Sequence, residues 1–266
     1  MTPVRAVLAD IDGVLTVSWK PLPGAVEALT RLRTAGCEPV LVTNTTSRTR
    51  ASIAATLADA GFPIGPDDVL TAPSATAAYL AENYDGARGL LLTSGDIGED
   101  LAGAGVTFVG EDDEDPVDVV LVGGAGPEFG YRSLNRAFHR LQQGARLVAM
   151  HRNLYWRTRH GLDLDSGAFL TGLERAAGVE AEITGKPAEA FFSAALSRAG
   201  ARPAETLMVG DDIEADVLAA QRCGITGVLV KTGKYLPRTH RDAPGTPDHV
   251  IDSVADLPGL LERLTR

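Results

Sequence analysis

Val4-Arg5-Ala6-Val7-Leu8-Ala9-Asp10-Ile11-Asp12-Gly13-Val14 joins a short apolar run to two carboxylates and a glycine. A run of this length that stops at polar residues suits a strand buried on both faces of a parallel sheet. In open sheets of that kind, ligands gather at the carboxyl ends of the strands. Asp10 and Asp12 at such an end raise each other's pKa unless a metal ion or a basic group compensates. A hard oxygen pair held ionised at neutral pH points to Mg²⁺. Alone, the pair also fits an ordinary helix or turn cap.

Outward from this stretch, aliphatic runs alternate with segments of helical period, the pattern of an α/β fold. Strands are expected over 4–9, 39–43, 206–209 and 227–230. Helices are expected over 24–34, 48–60, 187–199 and 213–223, stopped by Gly36, Gly61, Gly200 and Gly224. A second α/β series occupies 89–92, 97–101, 106–109, 118–122, 132–142 and 147–149. The domain organisation expected is therefore a discontinuous core, residues 1–75 and 180–266, with an α/β domain inserted at 76–179. Inside the insert, Glu111-Asp112-Asp113-Glu114-Asp115 is expected as solvated surface. Gly123-Gly124-Ala125-Gly126-Pro127 is expected as a turn, because Phe129 stands where a dinucleotide loop needs a small residue.

The 266 residues, 44% of them hydrophobic, can build real cores. With 25 Lys and Arg against 35 Asp and Glu, the net charge of −10 gives no general attraction to nucleic acid or an anionic membrane. No apolar run is long enough to cross a bilayer, and the chain enters a strand pattern at once without a signal segment, so a cytoplasmic protein is expected. Cys37 and Cys223 are too few for a disulfide framework and are expected reduced and buried. His139, His160, His240 and His249 lack metal-ligand spacing and are expected as surface or capping residues.

Four places share one position, the carboxyl end of an apolar run or the turn that opens a helix. The first is Asp10 and Asp12. The second is Val42-Thr43-Asn44-Thr45-Thr46, where a hydroxyl and free helix N–H groups can hold an anion. The third is Thr184-Gly185-Lys186-Pro187, in which glycine permits close approach, Lys186 supplies a point charge and Pro187 starts a helix. The fourth is Met208-Val209-Gly210-Asp211-Asp212, followed by Asp216. Singly, each is common turn or capping chemistry.

In this order the four places resemble the motifs of the haloacid dehalogenase (HAD) superfamily. The resemblance spans Asp10 to Asp216, and roughly 140 residues separate its second and third motifs, far more than a simple connection needs. It implies a Rossmann-like core with a parallel sheet and an inserted α/β cap, in the NagD-like branch. The tail from Gly210 through Lys231-Thr232-Gly233-Lys234-Tyr235 resembles the subgroup containing phospholysine phosphohistidine inorganic pyrophosphate phosphatase.

Carried over residue by residue, the resemblance makes Asp10 the nucleophile and Asp12 the general acid and base of an Mg²⁺-dependent phosphatase. Asp10, the backbone carbonyl of Asp12 and Asp211 would hold the metal, and Thr43, Asn44 and Lys186 the phosphate. Asp212 is open between the metal shell and capping. Asp216 is open between orienting Lys186 or a metal water and capping. An acid at position 12 favours phosphorus chemistry over carbon attack. The partner implied is a small phosphorylated molecule, with pyrophosphate and phosphoramidates also in range, and copies of the chain pairing through the cap as a homodimer.

A cap of this kind closes over the crevice and contacts the leaving group, which makes His151, Arg152, Asn153, Tyr155, Trp156 and Arg157 substrate candidates. Asp163-Leu164-Asp165-Ser166-Gly167 has the composition of a turn. Two rival readings use the same acids: a receiver-like module that keeps its phospho-aspartate, and a catalytically silent phosphate-binding protein. The length and the second acid at Asp12 favour turnover.

Overall fold

The computed structural model describes residues 3–158 and 161–264, which form two compact units. One comprises 1–43, 50–70 and 186–266, the other 44–49 and 71–185. The second unit thus takes in the segment 44–49 and starts at Thr71, which caps the helix Ala72–Asn83 by accepting from the Ser74 amide.

The first unit is built on a six-stranded sheet. Ala6–Asp10 lies at its centre, parallel to Glu38–Thr43 on one side and to Thr206–Gly210 on the other. Thr226–Val230 and His249–Ile251 extend the sheet in parallel beyond Thr206–Gly210, and Val69–Thr71 forms the other edge. Ala6 through Ala9 and Met208 through Gly210 are buried throughout, as a strand covered on both faces requires. Val7, Ala9, Leu41, Val209 and Val228 pack with Leu29 and Leu32 of the helix Ala25–Thr34 and with Ile53 and Leu57 of the helix Arg50–Asp59.

The second unit carries a five-stranded parallel sheet in the order Glu182–Ile183, Arg146–Ala149, Val119–Val122, Arg88–Leu92, Thr107–Phe108. Helices Ala72–Asn83, Tyr131–Gln142 and Ser166–Ala177 belong to it, as does an antiparallel hairpin of Tyr155–Thr158 and Gly161–Leu164. The α/β class with parallel sheets is therefore as the sequence leads one to expect. No helix among the described residues is long and apolar enough to cross a membrane.

Several elements depart from the sequence reading. Pro187 does not start its helix, which begins at Glu189 after Ala188. The stretch 163–167 is no turn: Gly161–Leu164 is a strand, the Asp165 carboxylate accepts from the Ser166 amide at 2.7 Å, and a helix follows with Leu170 and Leu173 buried. The helix expected over 213–223 splits into a π turn, Ile213–Leu218, and an α segment, Ala219–Arg222. In that turn the Asp212 carbonyl accepts from both Asp216 and Val217, at 3.0 and 3.3 Å. Cys37 is buried and Cys223 half-buried, and both are free thiols.

Candidate active site

Asp10 ends the central strand, and Asp211 follows the neighbouring strand Thr206–Gly210, whose Val209 is the register partner of Ala9. Parallel strands lie about 5 Å apart and Asp211 stands one residue beyond the level of Asp10, so the sheet itself brings the two acids close. Lys186 enters from the segment preceding the helix Glu189–Ala199, and its ammonium donates to Asp10 Oδ1 at 2.6 Å and lies 2.7 Å from Asp216 Oδ1. Carboxylate oxygens of Asp10, Asp211 and Asp216 fall within 4.8 Å of one another, and all three residues are buried.

Asp216 reaches this cluster because of two local features. The π turn inserts one extra residue per turn, a device frequent at functional sites. Gly210 supplies the space: a Cβ there would sit 2.2 Å from Asp216 Cβ. Asp212 turns the other way and caps the turn, accepting from the Glu214 and Ala215 amides at 3.1 and 3.0 Å.

Three buried carboxylates face one buried ammonium. Burial alone would depress the Lys186 pKa, but Asp10 and Asp216 hold it above its ordinary 10.5. Burial, reinforced by Asp10 and Asp216, pushes Asp211 up to about 7. Asp216 is also raised, by burial first, against the opposing pull of Lys186. Asp211 Oδ2 accepts from the Lys234 amide at 2.6 Å, whereas Asp211 Oδ1 is buried without a hydrogen-bond partner among the described residues. An orphaned carboxylate oxygen among hard oxygen donors with excess negative charge fits a divalent cation.

Other candidates take varied positions. Asp12 is exposed just past the strand end, and Thr43 is buried at the end of Glu38–Thr43, on the far side of Ala6–Asp10 from Asp211. Asn44 groups with the second unit, where its side-chain oxygen would be 2.9 Å from a Cβ on Gly185.

Also in the second unit, His151 is buried, and burial lowers its pKa although Asp165 opposes the shift. Its Nδ1 accepts from the Asn153 amide at 3.3 Å. Arg152 is engaged by Glu174 through two bonds of 2.8 and 2.7 Å, so an anionic ligand would have to compete with a bidentate pair. Tyr155 is exposed. The side chains of Trp156 and Arg157, and all of His160, lie outside the described residues. The loop Thr232-Gly233-Lys234, which touches Asp211, was missed as a site element. It follows the strand Thr226–Val230, so the strand-end rule that singled out the other four places applies to it as well.

Known proteins share the sequence pattern and the fold of this chain. Residues 7–107 match the model of the haloacid dehalogenase-like hydrolases, and 183–257 a second HAD-hydrolase-like model. Phospholysine phosphohistidine inorganic pyrophosphate phosphatase of Xenopus laevis is 37% identical over 97% of this chain and 94% of its own length. NagD from E. coli K-12 superposes with a TM-score of 0.85 at 29% identity, covering 96% of this chain and 98% of NagD. A glycerol phosphate phosphatase from Mycobacterium tuberculosis in complex with magnesium superposes with a TM-score of 0.87 at 28% identity, covering 97% and 78%. The chain belongs to the haloacid dehalogenase-like hydrolase family, on the NagD-like side of it.

Proposed function

We propose that the protein is a Mg²⁺-dependent phosphatase that hydrolyses a small phosphorylated metabolite through an aspartyl-phosphate on Asp10. The observation that carries this reading is the meeting of Asp10, Asp211 and Asp216 within 4.8 Å, with Lys186 bonded to Asp10, at the ends of adjacent parallel strands. Asp10 and Asp211 would hold the cation, together with the Asp12 carbonyl, and Asp216 would hold Lys186. When bound, the cation supplies positive charge that offsets repulsion between the carboxylates and a phosphate dianion.

An Asp10 carboxylate oxygen attacks phosphorus as the ester P–O bond breaks, and Asp12 passes its proton to the departing alkoxide. Asp12, now a carboxylate, takes a proton from water as the water oxygen attacks the phospho-aspartate. The P–O bond to Asp10 then breaks, releasing inorganic phosphate and restoring both acids. Lys186 fixes the orientation of Asp10 through its 2.6 Å bond and adds charge at the phosphoryl group, with the Thr43 hydroxyl as a further donor. Lys186 is buried, so its charge acts with little screening.

The relatives' names extend the range of substrates to test from phosphate monoesters to pyrophosphate and phosphohistidine. An aryl phosphate assayed with Mg²⁺ and with EDTA, for wild type and Asp10→Asn, tests the proposal. Phosphate release should require the cation and fall by at least about 10³-fold in the variant. Full activity in Asp10→Asn would refute the nucleophile assignment.

A further inference from the structure

Asp211 is gripped from one side only. Its Oδ2 lies between two glycines: a Cβ built on Gly13 or on Gly233 would stand 2.0 Å from that oxygen. Both glycines adopt left-handed backbone, φ +92° and +60°, which side chains disfavour in any case. The Gly233 Cβ would also come 2.5 Å from Gly13 Cα, so the two backbones are in close contact. Thr232 Oγ1 latches them by donating to the Gly13 carbonyl at 2.6 Å, and the next amide but one, Lys234 N–H, donates to Oδ2 at 2.6 Å. The opposite oxygen, Oδ1, is buried with no hydrogen-bond partner among the described residues.

We propose that Gly13, Thr232, Gly233 and the Lys234 amide form a collar that positions Asp211 as a one-oxygen cation ligand, with Oδ2 committed to the backbone and Oδ1 presented to the ion. This rests on the cation reading of the site. The carboxylate plane is fixed before the ion arrives, which removes the ordering cost from the binding step. One-oxygen ligation also matches the near-octahedral shell of a small ion that keeps several of its waters. The collar acts through Asp211, so its members are positioning residues, and partners of this kind typically contribute 10–100-fold to metal affinity.

Direct Mn²⁺ titration, read as the loss of the free-ion electron paramagnetic resonance signal, tests the collar without substrate or turnover. Gly233→Ala should weaken Mn²⁺ binding roughly 10–100-fold. Thr232→Val, a milder change should the first variant misfold, should weaken it about three- to tenfold, and Thr232→Ser should restore it to within about twofold. Thermal unfolding in EDTA provides the contrast, because a purely structural loop would lower the midpoint and leave the Mn²⁺ affinity of the folded protein unchanged. Wild-type affinity in both Gly233→Ala and Thr232→Val overturns the collar alone. A wild-type protein that takes up no Mn²⁺ overturns the cation reading and the collar with it.

Discussion

The molecule holds two concentrations of acid that differ in every physical respect except charge. Asp10, Asp211 and Asp216 are buried; Asp10 and Asp216 share the Lys186 ammonium, and Asp211 keeps an oxygen with no donor among the described residues. The run 111–115 has four exposed residues, and two of its backbone carbonyls, those of Glu114 and Asp113, accept from Arg140 at 2.7 Å each. Asp113, the half-buried member, pairs with Arg88 at 2.9 Å. Four acids in water and a fifth paired with Arg88 are balanced where they stand, whereas three acids out of water leave charge that a cation would offset. Negative charge density by itself does not mark a site; desolvation and an unmet oxygen do.

The largest test of this contrast is Asp211→Asn. Mg²⁺ at about 100-fold its dissociation constant should stabilise wild type by about 3 kcal/mol, a rise of several degrees in the melting midpoint, and the variant should lose that response. In EDTA the variant should melt no lower than wild type, since one of three mutually repelling carboxylates is gone. An undiminished Mg²⁺ response in Asp211→Asn would erase the distinction between the two clusters.

Next in size is Arg140→Ala, which strips the acidic loop of its buried support and should cost about 2 kcal/mol in urea unfolding. Glu182 makes an intermediate case, a half-buried carboxylate that brings its own donors. Tyr79 and Tyr84 donate to it at 2.7 and 2.8 Å, and Arg146 pairs with it. Burial alone would raise its pKa, but Arg146 and the two tyrosines bring it below its ordinary 4.5. A depressed carboxylate pKa contributes stability that is present above the unfolded value and lost as pH falls through the folded one. Glu182→Gln should therefore destabilise by about 1–2 kcal/mol at pH 7, and the deficit should shrink once the pH drops below about 4.5, followed by urea melts across pH. Smallest of all, Asp112→Asn should move stability by less than about 0.5 kcal/mol and leave the Mg²⁺ response intact.

Legibility from sequence follows the same division. The four central strands of the core were readable because each is a continuous aliphatic run ended by polar residues. The sheet's edges, Val69–Thr71 and His249–Ile251, have three residues each and carry no period. Ala72–Asn83 was also invisible. Its small residues, Ala75, Thr76 and Ala77, bury without a contrasting polar face, and the proline at its second position reads as a breaker although the first turn tolerates it. At the site, residue types and strand ends singled out Asp10, Lys186 and Asp211 as candidates, and the structure gathers Asp10 and Asp211 with Asp216 while Lys186 bonds Asp10. What sequence could not supply was backbone contact: the Lys234 amide on Asp211 and the Gly13 to Gly233 approach depend on two loops from separate strands meeting in space. The partner of Arg152, Glu174, is likewise set by how a helix is placed and by no local pattern.

The single wide turn at Ile213–Leu218 makes the site sensitive to chain length in a way that side-chain chemistry does not. Each residue of a helix turns its neighbours by about 100°. Deleting one residue between Asp212 and Asp216 would swing the latter carboxylate away from Lys186 while changing no functional group. An alignment that slides a gap by one place there would pair the wrong acid with the lysine, so related chains are best compared by counting residues from Gly210.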